Sequence, residues 1–232
     1  MHPLRRTACC LLGVAALVLS TAPADAAAGA EKAQRRLNQL GCNAGPADGR
    51  IETHTRTAIT RFQSANGLAQ SGRLTDRTKR RLYAAQQVRC DRRPVPARSA
   101  TGRRIVVSQR QNYVWLVRAD GSVARQGPTV DNPSALRPGT YRAGPKCGRA
   151  AKIRDNSDAS GRLRLQNFVR FAPCGIGFHR VPQYRSNGVQ IHPDWYLGTN
   201  AKESHGCLRV SRSMSFAIWG FTSRGTRVVV KG

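Results

Sequence analysis

Acidic side chains are scarce in this chain. Its 232 residues contain 12 Asp and Glu against 39 Lys and Arg, which gives a formal net charge of +27 at pH 7. Such a balance favours anionic partners such as nucleic acid, anionic lipid or a cell-wall polymer. The basic residues are spread along the whole chain, and arginine replaces lysine in GC-rich coding sequence. The charge alone therefore does not choose among these partners.

Long hydrophobic runs are equally scarce. The one apolar run, residues 11–19, follows Arg5 and Arg6 and precedes the small residues Ala24-Asp25-Ala26. This order predicts a secretory signal peptide over residues 1–26, cleaved after Ala26, and the run is too short to span a bilayer. An uncleaved N-terminal anchor is the alternative. We expect an exported mature protein without a transmembrane segment, and export argues against nucleic acid as its partner.

The first part of the mature chain has helical signals. Residues 30–90 predict a small three-helix domain. The first helix ends at Gly41, Thr53 or Thr55 caps the second, and the third begins near Thr75.

Residues 91–102 contain two prolines among charged and small residues and predict an extended linker. From residue 103 to 232 the pattern changes to short strands, with residues 153–161 expected as a polar loop and 213–219 as a helix. This part has no phosphate-binding glycine motif. The predicted fold class is α+β with two domains, one small and helical and one mostly β. The predicted strands include 104–108, 113–117, 163–171, 188–192 and 226–230.

Removal of the signal peptide leaves five cysteines, an odd number. In an exported protein this predicts disulfides together with one free thiol. Four cysteines allow three pairings, and pairing Cys42 with Cys90 and Cys147 with Cys174 keeps each bridge inside one predicted domain. Cys207 is then the free thiol.

Cys207 lies in the stretch Ser204-His205-Gly206-Cys207-Leu208-Arg209. A glycine before the cysteine allows a tight turn, so backbone N–H groups can face an oxyanion while the thiolate attacks a carbonyl. A zinc site formed by His179, His192, His205 and Cys207 is the metal alternative. It lacks the paired C-x-x-C spacing of structural zinc sites, so we expect no metal and no cofactor.

Residues 30–90 resemble the peptidoglycan-binding-1 domain, a three-helix module. Most matching residues are core or turn positions, so the resemblance supports the fold more strongly than it supports binding of a ligand. His54 is expected to be a surface residue rather than a ligand. The matching residues are Gln34-x-x-Leu37-x-x-Leu40-Gly41, Gly45-Pro46-x-Asp48-Gly49, Thr55-x-x-Ala58-Ile59-x-x-Phe62-Gln63-x-x-Asn66-Gly67-Leu68, Gly72, Thr78 and Leu82.

Residues 103–232 resemble the L,D-transpeptidase (YkuD) catalytic domain. The resemblance is carried by Ser204–Arg209, by Gly188-Val189-Gln190-Ile191-His192 upstream and by Leu197-Gly198 between them. The turn Arg137-Pro138-Gly139-Thr140-Tyr141 is a looser match. It implies a mostly β domain whose cysteine is acylated by the third residue, a diamino acid, of a peptidoglycan stem peptide. The amine of a second stem then resolves the thioester, which gives a 3→3 crosslink. Carbapenem-type inhibitors are expected to react with the same cysteine.

Two histidines are candidates for the base. His192 lies 15 positions before Cys207, close to the spacing of the family, whereas His179 lies 28 positions before it. We therefore predict His192 as the base, with the carbonyl of Pro193 holding its tautomer, and His179 as the alternative. His205 is only two residues from the cysteine and is expected to shape the turn.

Three further residues of the motif receive expected roles. The N–H groups of Gly206 and Cys207, with His205, are expected to stabilise the oxyanion. Arg209 is expected either to bind a substrate carboxylate through its planar guanidinium or to form a structural salt bridge beneath the turn. Ser204 is expected to be a turn hydroxyl.

The sequence thus predicts a secreted, wall-associated L,D-transpeptidase that binds peptidoglycan through its N-terminal domain. Two alternatives stay open. In the first, water resolves the thioester and the enzyme is an L,D-carboxypeptidase or another hydrolase of the same stem peptides. In the second, the fold serves only to bind the wall and no reaction occurs.

Overall fold

The N-terminal domain is a three-helix unit in the computed structural model, which describes residues 24–232. Its helices are α1 (Ala24–Gln39), α2 (Thr53–Ala65) and α3 (Asp76–Tyr83). Their buried faces form one small core that includes Leu37, Ile59, Phe62 and Leu82. The predicted signal peptide lies mostly outside the described residues. Among residues 24–232, none of the helices combines the length and the apolarity needed to cross a membrane.

The helix ends follow the sequence signals with one exception. Gly41 adopts a positive φ of 71° where α1 ends, and the Thr75 hydroxyl accepts a hydrogen bond from the Thr78 N–H at the start of α3. The predicted cap of α2 is wrong. Glu52 occupies that position without a side-chain hydrogen bond, and Thr53 is already helical.

The second domain is built on a ten-stranded sheet. The strands are β1 (Arg104–Ser108), β2 (Tyr113–Val117), β3 (Val123–Val130), β4 (Gly139–Arg142), β5 (Lys152–Ser157), β6 (Leu163–Arg170), β7 (Gly177–Arg180), β8 (Gln183–Tyr184), β9 (Leu208–Val210) and β10 (Arg227–Lys231). The helix α4 (Arg212–Phe221) packs against β6 and β7 and buries Met214 and Ile218 in the main core. The fold class is therefore α+β, as predicted. The strands lie in the sheet in the order β4-β10-β1-β2-β3-β9-β7-β6-β5, and β8 pairs with β6.

Two sequence expectations for this domain are wrong. Residues 153–161 do not form a loop throughout, because residues 152–157 are the edge strand β5. Only one side of an edge strand is paired, so a polar sequence is tolerated there. Residues 188–192 do not form a strand, because the segment makes only one isolated bridge, between Gln190 and Gln183.

Both predicted disulfides are present in the structure. Cys42 is bonded to Cys90 inside the helical domain, and Cys147 is bonded to Cys174 inside the β domain. Among the described residues, Cys207 is the free cysteine. The bridges close segments of 48 and 27 residues, and each restricts the unfolded chain by roughly 3–4 kcal/mol.

The two domains are packed against each other through buried arginines. Arg61 of α2 donates to the Leu197 carbonyl at 3.3 Å and to the Asn43 carbonyl at 2.9 Å. Arg93, in the predicted linker, donates to the Gln111 carbonyl at 3.0 Å and lies over the Tyr113 ring. Burial lowers the pKa of both arginines to about 10. In the linker, residues 92–96 have no helix or strand and residues 97–98 form a turn. Arg93 also donates to the Arg61 carbonyl, so the linker is packed against both domains.

Candidate active site

Three neighbouring strands, β6, β7 and β9, place the candidate residues on one face of the sheet. Phe178 of β7 is paired with Leu208 of β9, and both point into the core. Because successive side chains of a strand alternate between faces, His179 and its partner Arg209 point to the opposite face. Cys207, directly before β9, continues that face beside Gly177.

A cavity of about 570 Å³ opens over this face. Its lining includes Cys207, Ser204, His205, Arg209 and His179, so the structure brings these five sequence candidates together. His192 is not part of the lining.

The Cys207 thiol is partly buried and donates to the Gly175 carbonyl at 3.3 Å. Burial raises the pKa of this thiol, while the Gly177 N–H and the guanidinium groups of Arg209 and Arg170 act in the opposite direction. Because burial dominates, the thiol is protonated at neutral pH. Its use as a nucleophile therefore requires a base.

The two candidate bases have the same local geometry. His179 Nδ1 lies 2.6 Å from the Arg180 carbonyl oxygen, and His192 Nδ1 lies 3.0 Å from the Pro193 carbonyl oxygen. A carbonyl can only accept, so in the neutral form each Nδ1 carries the proton and each Nε2 is left as an acceptor. Either imidazole could therefore take a proton at Nε2.

Their surroundings differ. His179 is 2% exposed and stacks on Phe168, and burial lowers its pKa to about 4. Burial also lowers the pKa of His192, and the Pro193 carbonyl opposes this change. The His192 Nε2 is buried and has no hydrogen-bond partner. The ring of Tyr196 meets His192 edge-on, with 5.8 Å between the ring centroids.

The turn before Cys207 is held by a short network. Gly206 has a φ of 133°, a conformation that favours glycine, and its N–H donates to Ser204 Oγ at 2.9 Å. The Ser204 carbonyl accepts from Asn132 Nδ2 at 2.8 Å, and the Ser204 N–H donates to the Asp131 carbonyl at 3.3 Å. The Ser204 hydroxyl thus accepts a hydrogen bond within the turn. Gly206 differs from expectation, because its N–H is engaged with Ser204 and is not directed at an oxyanion.

Arg209 is half-buried, and its Nη1 donates to the Lys202 carbonyl at 3.0 Å. The salt bridges found among residues 24–232 do not involve it, so the expected structural salt bridge beneath the turn is not formed. His205 is exposed on the cavity rim.

Sequence reasoning missed several residues of the site. Arg170 lines the cavity although it is 2% exposed, and Asp131 and Asn132 support the turn that carries Ser204. The sequence signal for Arg170 is its position at the end of a predicted strand. The signal for Asp131 and Asn132 is the Asp-Asn-Pro sequence, which is typical of turns. In the part of the chain that the structure describes, no three His, Cys, Asp or Glu side chains are grouped as metal ligands.

A free thiol on a turn before a strand, in a cavity with imidazole and guanidinium groups, is the arrangement that acyl transfer by a cysteine requires. Residues 102–230 match the family model of the L,D-transpeptidase catalytic domain (YkuD), and residues 27–82 match that of a putative peptidoglycan binding domain. The first match spans more than half of the chain, which therefore belongs to the L,D-transpeptidase catalytic-domain family.

Several solved structures are similar. An L,D-transpeptidase from Xylanimonas cellulosilytica is 21% identical, with a TM-score of 0.49 and coverage of 87% of this chain and 92% of that one. An L,D-transpeptidase from Stackebrandtia nassauensis is 20% identical, with a TM-score of 0.45 and coverage of 87% and 90%. Another, solved in complex with imipenem, is 19% identical, with a TM-score of 0.42 and coverage of 56% and 58%. No curated protein matches the chain.

Proposed function

We propose that this protein is an exported L,D-transpeptidase that forms 3→3 crosslinks between peptidoglycan stem peptides through a thioester on Cys207. The observation that carries the proposal is the free Cys207 thiol in the cavity of a domain that belongs to the L,D-transpeptidase family. The peptidoglycan binding domain at the N-terminus supports the same polymer as substrate and a location at the cell wall.

In the proposed first step, the Cys207 proton moves to a histidine Nε2. The thiolate then adds to the carbonyl carbon of the third residue of the donor stem, in the amide bond to the fourth residue. The tetrahedral intermediate collapses with cleavage of the C–N bond, and the imidazolium returns its proton to the leaving amine. The N–H of Cys207 is the proposed oxyanion donor, since that of Gly206 is engaged by Ser204.

In the second step, the amine of another stem attacks the thioester. Its proton passes to the imidazole and then to the departing Cys207 thiolate, so the enzyme returns to its starting state. Attack by water instead would give hydrolysis.

We propose His192 as the base. Its Nε2 is buried and unpartnered, and its Nδ1 is engaged with the Pro193 carbonyl. The alternative, His179, lines the cavity, but its pKa of about 4 makes it a weak base at neutral pH. Comparing His192→Ala with His179→Ala separates the two. Loss of Cys207 acylation in His179→Ala alone would overturn this assignment.

The test of the function uses the purified mature protein and a disaccharide-tetrapeptide, with the products identified by mass spectrometry. A crosslinked dimer that is absent with Cys207→Ala supports the transpeptidase. Tripeptide without dimer would make the enzyme a hydrolase. If no product forms and a carbapenem adds no covalent mass to the protein, the result would indicate a non-catalytic wall-binding protein.

A further inference from the structure

Arg170 is a buried arginine without an acidic partner. Its Nε donates to the Ala150 carbonyl at 3.1 Å, its Nη1 is buried without any hydrogen-bond partner, and its guanidinium lies 4.9 Å from the centre of the Phe168 ring. The salt bridges among residues 24–232 do not include it. A buried charge with an unused donor is costly unless an anion completes its hydrogen bonds.

The register of the sheet places Arg170 beside the nucleophile. Arg170 of β6 is paired with Gly177 of β7, and Gly177 lies next to Cys207 on the other side. Two strand spacings, about 10 Å, therefore separate the Cα atoms of Arg170 and Cys207. Both side chains line the same cavity.

The backbone at Gly177, between these two residues, is closely packed. A Cβ there would lie 2.6 Å from the Val169 carbonyl oxygen and 2.8 Å from Phe168 Cζ, so the Phe168 ring and the backbone of β6 fill the space that a side chain would need. The lining of the cavity between Arg170 and Cys207 therefore includes the Phe168 ring.

The cavity carries an excess of positive charge. Arg149, Arg170 and Arg209 all line it, and Asp158 is the only carboxylate on the lining. Asp158 is already engaged, since it accepts from Ser160 Oγ at 2.5 Å and from the Leu163 N–H at 2.8 Å. The lining therefore offers three cations and no free anion.

We propose that Arg170, in the cavity that it shares with Cys207, forms a subsite that binds a carboxylate of the acyl donor. This inference rests on the proposed function and adds a substrate class to it. Donors with a free carboxylate at the second or third residue are preferred over the same donors with a carboxamide at that position. Arg170 is then a specificity-determining residue. The carboxylate could belong to the second or to the third residue of the stem, and the experiment distinguishes these positions.

The test measures the second-order rate of Cys207 acylation by intact-protein mass spectrometry with three tetrapeptide donors. One donor has all carboxylates free, one is amidated at the second residue, and one is amidated on the side chain of the third. The wild-type protein should prefer the free donor by about 10- to 100-fold over one of the amidated donors, since a charge-assisted hydrogen bond is lost. The disfavoured donor identifies the carboxylate that is bound.

Arg170→Met should remove this preference, measured as the ratio of the rates with the free and the amidated donor, because any effect of Arg170 on the thiol pKa is the same for every donor and cancels in the ratio. Arg170→Lys should keep part of it, because an ammonium retains the charge without the planar fork. Arg162→Met, an exposed arginine of the preceding turn that does not line the cavity, is the matched control and should leave the preference unchanged.

Three outcomes would overturn the subsite. Equal rates with all three donors in the wild-type protein would do so even if the Arg170 variants fail to fold. An equal fall in rate with every donor in Arg170→Met would show that Arg170 acts on the thiol and not on the substrate. Failure of every donor and of a carbapenem to acylate Cys207 would instead overturn the proposed function, and the subsite with it.

Discussion

The imidazole of His54, in the N-terminal domain, stacks on the indole of Trp195 in the β domain, with 4.9 Å between the ring centroids. Trp195 in turn stacks on Tyr196 at 4.0 Å, and Tyr196 meets His192 edge-on. An unbroken series of aromatic contacts thus connects α2 with the proposed base. His54, expected as a surface residue rather than a ligand, is half-buried and contacts Trp195 across the domain boundary.

We predict that His54→Ala slows acylation of Cys207 by a carbapenem about 2- to 10-fold, because one aromatic contact that holds the segment around His192 is lost. The measurement is stopped-flow fluorescence or mass spectrometry with purified protein. Arg56→Ala, an exposed residue of the same helix, is the control and should react at the wild-type rate. An unchanged rate in both variants would mean that the stacking does not position His192.

The buried His179 predicts how stability depends on pH. Its pKa is about 4 in the folded protein and 6.5 in the reference state, so the unfolded chain binds the proton more readily. The contribution of the neutral His179 to the free energy of unfolding is therefore fully present above pH 6.5. It is lost as the pH falls towards 4, and the total loss is about 3 kcal/mol. Urea unfolding of His179→Gln and wild type at pH 7.5 and pH 4.5 measures it.

The difference in unfolding free energy between these two proteins should be smaller at the lower pH. Asp131 acts in the opposite sense, because burial raises its pKa to about 6. Since Asp131 is present in both proteins, the comparison cancels its contribution. A difference that does not vary with pH would contradict the assignment of a neutral, buried His179.

The disulfide between Cys147 and Cys174 borders the cavity, and Cys174 precedes Gly175, whose carbonyl accepts from the Cys207 thiol. We predict that replacing both cysteines by serine lowers the acylation rate of Cys207 in addition to lowering stability by roughly 3–4 kcal/mol. The matched variant lacks the Cys42–Cys90 bridge and should lose similar stability but keep its acylation rate under folding conditions. Equal acylation rates in the two double variants would refute the local effect.

The interdomain arginines predict cooperative unfolding. Arg61→Met removes the hydrogen bonds of a buried guanidinium to the Leu197 carbonyl, across the domain boundary, and to the Asn43 carbonyl of its own domain, and should destabilise the protein by about 2–4 kcal/mol. We expect the wild-type protein to unfold in a single urea transition, and Arg61→Met combined with Arg93→Met to divide it into two transitions, one for each domain. Arg92→Met changes an exposed neighbour and should preserve a single transition. Two transitions in the wild type would argue against this coupling.

Local sequence patterns predicted the elements that bury an apolar face. The strands around residues 104–108 and 113–117 and the helix α4 were predicted because their apolar residues follow the required spacing. The edge strand β5 was missed because it is polar and half-exposed. Residues 188–192 have the alternation of a strand, but they lack a partner strand along their length.

The candidate site was predictable to the extent that it lies in one continuous motif. Cys207 and its neighbours could be found from the order of residues and the cysteine count. The position of Arg170 near Cys207 depends on which strands are neighbours in the sheet, and the contact of His54 with Trp195 depends on how two domains dock. Local sequence patterns predict neither of these two spatial relationships.

The packed linker between the two domains has a consequence for the proposed activity. A flexible tether would let the catalytic domain search a wide volume around the point where the N-terminal domain is anchored. Here Arg61 and Arg93 hold the domains together through buried hydrogen bonds, so the distance between the anchoring surface and Cys207 is fixed. Crosslinks would therefore be introduced at a fixed distance from each point on the polymer to which the N-terminal domain binds.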